Sequence, residues 1–230
     1  MAKPPTAAAP RTPRGAAIRD KLLDVAERLF AERGIDAVSL NSIARGARQL
    51  NASVMQYHFG SKGGVIEAIL DRRMAEINRR RDARVARIDP SERREALRRV
   101  AEAMVLPFAE HLSDEGGSRY LRFVAQVTFN ADRSVFEMVR GRHDSAVRRI
   151  AELVQEVRSD LPPEVVRHRL ALATNLVLFG IGEREKLRMA GRRSGVARLA
   201  TDAFLADLQS TIVALLDAPA ARVDTPAEPD

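Results

Sequence analysis

Residues 39–62 read SLNSIARGARQLNASVMQYHFGSK. Two short runs with helical spacing lie in this stretch, divided by a break. The first starts after Ser39, a residue type suited to an N-cap, and lines up Leu40, Ile43, Ala44 and Ala47 on one stripe. The break falls at Arg48-Gln49-Leu50. Asn51 can cap the second run, which continues through Phe59; Gly60 stops it, and Ser61 can cap the helix that follows. In the second run Val54 or Met55, with Phe59, belongs against a core. Asn51, Ala52, Ser53, Gln56 and Tyr57 are left on the outer face. Two short helices joined by a tight turn and steadied by a longer helix before them make a helix-turn-helix.

That longer helix is predicted from about Gly15 to Arg33, with Ile18, Leu22, Val25, Ala26, Leu29 and Phe30 as its stripe and Gly34 closing it. After Ser61 a long helix carries Val65, Ile66, Ile69, Leu70, Met74 and Ile77. Asp89-Pro90-Ser91-Glu92 has capping-box spacing and is expected to open a helix to about Leu112. Gly116-Gly117 reads as a hinge or turn, followed by helices over about 118–131 and 132–158. Pro162-Pro163 opens a helix to about Met189, which Gly191 closes, and a last helix runs from Ser194 to about Leu216. The fold class is all-α, with about nine helices. The expected domains are a disordered basic arm (1–14), a three-helix helix-turn-helix domain (15–62), a helical ligand-binding and dimerisation bundle (63–217) and a disordered tail (218–230).

Composition narrows the function. The 230 residues include no cysteine, which excludes disulfide frameworks and thiolate metal or redox chemistry. The start, MAKPPTAAAPRTPRG, has no apolar h-region, so no signal peptide is expected. The longest apolar run, Leu170 to Gly182, is interrupted by Thr174 and Asn175 and is too short to span a bilayer. A soluble, cytoplasmic protein with no membrane partner is expected. Net charge is +7, and residues 1–62 hold 10 Lys/Arg against 5 Asp/Glu, so positive charge gathers where a phosphate-facing surface would need it. The basic residues Arg79 to Arg81, Arg84 and Arg87 read as an exposed face of the long fourth helix, with added phosphate contacts as the alternative. The 4 histidines lack metal-ligand spacing, and no nucleophile elbow, P-loop or dinucleotide fingerprint occurs. No enzyme activity, cofactor or metal is expected.

A helix of this size fits the major groove of duplex DNA, where residues near its N-terminus reach base edges. Asn or Gln can pair with adenine, Ser is permissive, and Ala can touch a thymine methyl. Tyr57 and Lys62 suit phosphate oxygens, and the helix start after Ser61 favours an anion. The segment from Ile18 to Leu70 resembles the DNA-binding domain of the tetracycline-repressor (TetR) family of bacterial regulators. The resemblance rests on A-x-x-L-F-x-x-x-G at Ala26 to Gly34, Ile43-Ala44, and Y-H-F-x-S-K at Tyr57 to Lys62. It covers roughly residues 15–70 and implies a homodimer that offers one recognition helix to each half of a pseudo-palindromic operator. By position, Ser39 resembles a residue that starts the second helix and touches phosphate, and Lys62 resembles a phosphate-binding lysine. The turn departs from the family pattern: Ala47-Arg48-Gln49-Leu50-Asn51 is one residue longer and lacks its glycine. Gln56 takes the commonest Tyr position, and Gly63-Gly64 replaces acidic capping residues. The set expected to meet DNA is Ser39, Arg48, Asn51, Ala52, Ser53, Gln56, Tyr57, His58 and Lys62.

In the bundle, Val166, Leu170, Ala173 and Val177 are spaced 4-3-4, and Leu205, Leu208, Ile212 and Leu215 are spaced 3-4-3. Such seams suit a four-helix interface made by two subunits, with the subunit's own core as the alternative. The resemblance also implies an effector pocket for a small molecule of unspecified chemistry. Met104, Phe108, His111, Arg122, Phe123, Gln126, Asn175 and Phe179 are its candidate lining, against the plainer reading of the apolar ones as core. The function expected is a ligand-responsive transcriptional regulator, a repressor, acting on double-stranded operator DNA. The alternatives are a helical scaffold without a DNA target and an all-α enzyme with a helix-turn-helix appendage.

Overall fold

The computed structural model describes residues 12–51, 53–113, 115–130, 145–191 and 198–220. In chain order these form α1 (Pro13–Arg33), α2 (Leu40–Gly46), α3 (Ser53–Phe59), α4 (Lys62–Val85) and α5 (Arg93–Ala109). A 3-10 turn (Glu110–Ser113), α6 (Glu115–Asn130), α7 (Ser145–Val157), α8 (Pro163–Met189) and α9 (Thr201–Asp217) follow. The protein is all-α, with nine α-helices among the described residues. The basic arm before Thr12, Ala52, the segment 131–144 and the tail after Ala220 lie outside the described residues, as does Ser194.

Side chains set the helix starts. Thr12 Oγ1 accepts from the Gly15 N–H at 3.1 Å, so α1 opens at Pro13, slightly earlier than expected. Ser39 and Ser42 form a reciprocal capping box: each hydroxyl oxygen accepts from the other's backbone N–H, at 3.2 and 3.1 Å. Ser61 Oγ accepts from the Gly64 N–H at 3.1 Å. A Cβ on Gly64 would sit 2.0 Å from the Phe59 carbonyl oxygen, so the tight passage from α3 to α4 requires glycine there.

Three boundaries correct the sequence reading. The Asp89-Pro90-Ser91-Glu92 motif forms a turn in which Asp89 Oδ1 accepts from the Ser91 N–H at 2.9 Å; α5 starts only at Arg93. A local side-chain bond outcompeted helix entry. Gly116 and Gly117 lie in the first turn of α6 instead of forming a hinge or turn between helices. The last helix begins at Thr201, because residues 198–200 are not α-helical.

The head (α1–α3 with the start of α4) is built around Leu22, Ala26 and Phe30 of α1, Ile43 of α2, Met55 and Phe59 of α3, and Ile66 of α4, all buried. Helix α4 runs from this head into the bundle, and Glu27 of α1, itself buried, fastens the two. Its carboxylate accepts from Arg73 at 2.8 Å and from Arg72 at 3.1 Å, while Arg72 also reaches Asp24 at 2.7 Å. Helix α6 packs on α1 through a Phe30–Phe123 stack with ring centroids 5.8 Å apart. Helix α8 lies so close to α6 that a Cβ on Gly182 would come within 2.6 Å of Ala125 Cβ. Arginines hold α9 at both ends. Arg184 donates to Leu199 O (3.2 Å) and Thr201 Oγ1 (3.1 Å), and Arg158 and Arg169 donate to the final carbonyls at Leu216 and Ala218.

Among the described residues no helix is long and apolar enough to cross a membrane, and no group of His, Asp and Glu could hold a metal ion.

Candidate nucleic-acid interface

The break between α2 and α3 is a helix stop followed at once by a helix start. Helix α2 ends with Ala47 N–H donating to Ile43 O (3.0 Å), Arg48 N–H to Arg45 O (2.9 Å) and Gln49 N–H to Ala44 O (2.9 Å). This closing pattern needs one left-handed residue, a place usually filled by glycine. Arg48 fills it, with φ of 58°, the one non-glycine residue with positive φ among the described residues. Its Cβ therefore sits under strain, and its guanidinium is carried outward on an exposed residue. Asn51 Oδ1 then accepts from the Ser53 N–H at 2.9 Å and starts α3.

Helix α3 buries Met55, His58 and Phe59 and exposes Ser53, Gln56 and Tyr57. Those exposed three occupy one face at helical spacing, beside exposed Arg48 and Asn51; exposed Ser39 caps the adjoining α2. Ala52 lies outside the described residues. His58 is a correction: with only 3% of its surface exposed, it belongs to the head's interior. Position 58 falls three residues after Met55, on the packed side, which the helical period already implied. Its Nδ1 is buried without a hydrogen-bond partner. Burial holds the imidazole below its ordinary 6.5, and the nearby Arg19 guanidinium adds to the effect.

Lys62 is placed at the rim, but its ammonium donates to the carbonyls of Ile35 (2.9 Å) and Asp36 (3.4 Å), tying the α1–α2 loop to the start of α4. No sequence signal announces a lysine that bonds backbone carbonyls 27 and 26 residues away. The basic run on α4 is likewise taken up within the fold. Arg79 and Arg80 pair with Glu76, Arg80 and Arg84 pair with Glu110, and Arg81 is buried over the Phe108 ring.

In the bundle the expected dimer seams face inward. Val166, Leu170, Ala173 and Val177 are buried in their own subunit, as are Leu208 and Ile212; Leu205 and Leu215 are half-buried against the same core. This corrects their assignment to an interface, because the heptad pattern is equally served by neighbours within one chain. The apolar stripe that does reach the surface lies on another side of α8: Leu172, Leu176 and Phe179, also spaced 4-3. A helix apolar on two sides hides this second stripe from periodicity analysis.

The expected pocket residues divide. Met104, Phe108 and Phe123 are buried core, Asn175 is exposed, and the side chain of His111 lies outside the described residues. Arg122, Gln126 and Phe179 do come together, in a cleft of about 690 Å³ between head and bundle. Its other walls include the α1–α2 loop from Gly34 to Ala37 and, on α8, Gly182, Glu183 and Lys186. Gln126 Nε2 donates to Ala31 O at 3.4 Å across the junction.

Residues 22–69 match the family profile described as bacterial regulatory proteins, tetR family, and residues 102–214 match the tetracyclin repressor-like C-terminal domain. The fold is similar to that of NalD, the secondary repressor of the MexAB-OprM multidrug efflux pump in Pseudomonas aeruginosa, with a TM-score of 0.58 at 17% identity over 87% of this chain and 96% of that one. It is also similar to the fatty acid degradation regulator FadR from Bacillus halodurans, with a TM-score of 0.56 at 13% identity over 89% and 97% of the two chains. A TetR-like transcriptional regulator from Rhodococcus sp. RHA1 gives a TM-score of 0.55 at 19% identity over 89% and 97%. At these identities the likeness is one of fold. No curated protein matches the chain.

Two expectations follow from the turn and the buried imidazole. Arg48→Gly should relieve the left-handed strain and stabilise the protein by roughly 0.5–1 kcal/mol in urea unfolding. A destabilised variant would contradict the strain. For His58, the unfolded state takes up a proton near pH 6.5 and the folded state only at lower pH. Its contribution to stability is therefore complete above pH 6.5 and declines as pH falls from there towards the depressed folded value. The urea midpoint of His58→Gln should lose that part of the pH dependence; identical slopes in both proteins would refute it.

Proposed function

The chain belongs to the tetracycline-repressor (TetR) family of bacterial regulatory proteins, and from that membership we propose that it is a ligand-responsive repressor that binds a pseudo-palindromic operator as a homodimer. Members of this family are DNA-binding regulators and not enzymes. The observation that carries the DNA-binding reading is the exposed face of Ser53, Gln56 and Tyr57 on α3, rigidly backed by buried Met55 and Phe59. In the groove, Gln56 pairs with a base edge and Tyr57 donates to a phosphate or base. Arg48 and Asn51 extend the contact at the helix's leading edge.

Supporting dimerisation is the surface stripe Leu172, Leu176 and Phe179, an apolar face that a second copy of α8 would cover. Two-fold pairing places one head over each half-site. Supporting ligand response is the cleft between head and bundle. Its size suits a small molecule, and its walls come from both head and bundle: the α1–α2 loop on one side, α6 and α8 on the other. An occupant that favours one head position over another shifts operator affinity by that difference.

Selection from a random duplex pool tests the reading. Two inverted half-sites should emerge, and Gln56→Ala and Tyr57→Ala should each bind the selected duplex about tenfold more weakly per half-site, with helix content and dimer mass unchanged. No preferred duplex, or unchanged affinity in both variants, would defeat it and favour a scaffold without a DNA target. A small molecule that releases the operator should stop doing so in Ala37→Trp, which fills the cleft from an exposed position. Undiminished release would place the effector elsewhere.

A further inference from the structure

We propose that Leu50 reads a base: its side chain packs on a thymine 5-methyl group in the major groove, once per half-site. The proposal rests on the DNA-binding reading above and assigns it a specificity contact outside the recognition helix.

Leu50 is fully exposed, at 107%. Among the described residues of the head, the only other large hydrophobic residue so exposed is Tyr57. The two flank the start and the outer face of α3. The chain geometry explains why Leu50 stands clear. Helix α2 is closed by the bonds from Ala47, Arg48 and Gln49, with Ala47 buried as its last inward residue. Helix α3 is not opened until Asn51 bonds the Ser53 N–H. Leu50 lies between stop and start, so neither helix's packing reaches it, and left-handed Arg48 fixes the direction in which the extra residue is pushed out.

The identity of the partner group follows from groove chemistry. The N-terminal residues of a recognition helix approach base edges, and Leu50 stands directly ahead of Asn51, which opens α3. Among the groups on those edges the thymine 5-methyl is the one that projects a full apolar group into the groove; cytosine has only a C5–H at that place. An aliphatic side chain without donor or acceptor gains by covering that methyl and loses by covering any polar edge. Leu50 therefore contributes discrimination for thymine over the other bases.

The test uses the full-length protein and its selected operator, with each thymine replaced singly by deoxyuridine, which deletes the methyl and nothing else. Wild-type protein should lose about fourfold in affinity per half-site at one thymine position. Leu50→Ala should bind the thymine operator more weakly by a similar factor and be indifferent to deoxyuridine at that position. Unaltered helix content and dimer mass exclude a folding defect. Equal losses for wild type and Leu50→Ala at every position, or no loss at any thymine, would overturn the proposal while leaving DNA binding intact. A protein that selects no duplex fails at the earlier reading and takes this one with it. Loss of dimer mass in Leu50→Ala would assign the side chain to a contact between copies instead.

Discussion

The buried carboxylate of Glu27 is the constraint on which the arrangement of head and bundle depends. A carboxylate hidden from water needs compensation, and removing its partners would cost about 3–5 kcal/mol. Both cations that reach it, Arg72 and Arg73, come from α4. Helix α1 therefore cannot slide along α4 without stranding that charge. Helices α2 and α3 pack on α1 and α4, and α6 stacks Phe123 on Phe30 of the same α1. Arg73 also lies over the Tyr120 ring of α6, at 5.7 Å. One ionic joint thus sets where the recognition helix stands relative to the bundle.

Much of this was legible in the amino-acid sequence, for local reasons. Ser39, Ser61, Gly34 and Pro163 act within one turn of their own positions, so the helices they start or stop could be placed from residue types alone. What failed was competition between two local outcomes, or dependence on distant partners. Asp89 had a turn available as well as a helix start. Heptad spacing on α8 was present on two sides, and only tertiary packing decides that Val166, Leu170, Ala173 and Val177 face inward while Leu172, Leu176 and Phe179 face out. For the site, period 3.6 separated Gln56 and Tyr57 from Met55 and Phe59 correctly. The same rule, applied strictly, would have sent His58 inside. Lys62 could not be read at all, because its carbonyl partners belong to another loop.

Positive charge also proved a coarser guide than its position suggested. Arg72, Arg73, Arg79, Arg80 and Arg84 of α4 answer carboxylates of the fold itself, at Glu27, Glu76 and Glu110. They neutralise the interior and its rim and do not extend the reading surface. The exposed guanidinium at the turn is different in kind. It stands on strained backbone at an exposed position. Strain of that sort persists where surrounding structure holds it in place.

The arginines at the two ends of α9 have a mechanical consequence. With Leu199 and Thr201 gripped by Arg184, and Leu216 and Ala218 gripped from the α7–α8 corner, this rod is riveted to its neighbour at top and bottom. Helices α8 and α9 should accordingly travel as one stiff plate. Any breathing of the molecule then has to be absorbed on the other side, where α4, α5 and α6 meet.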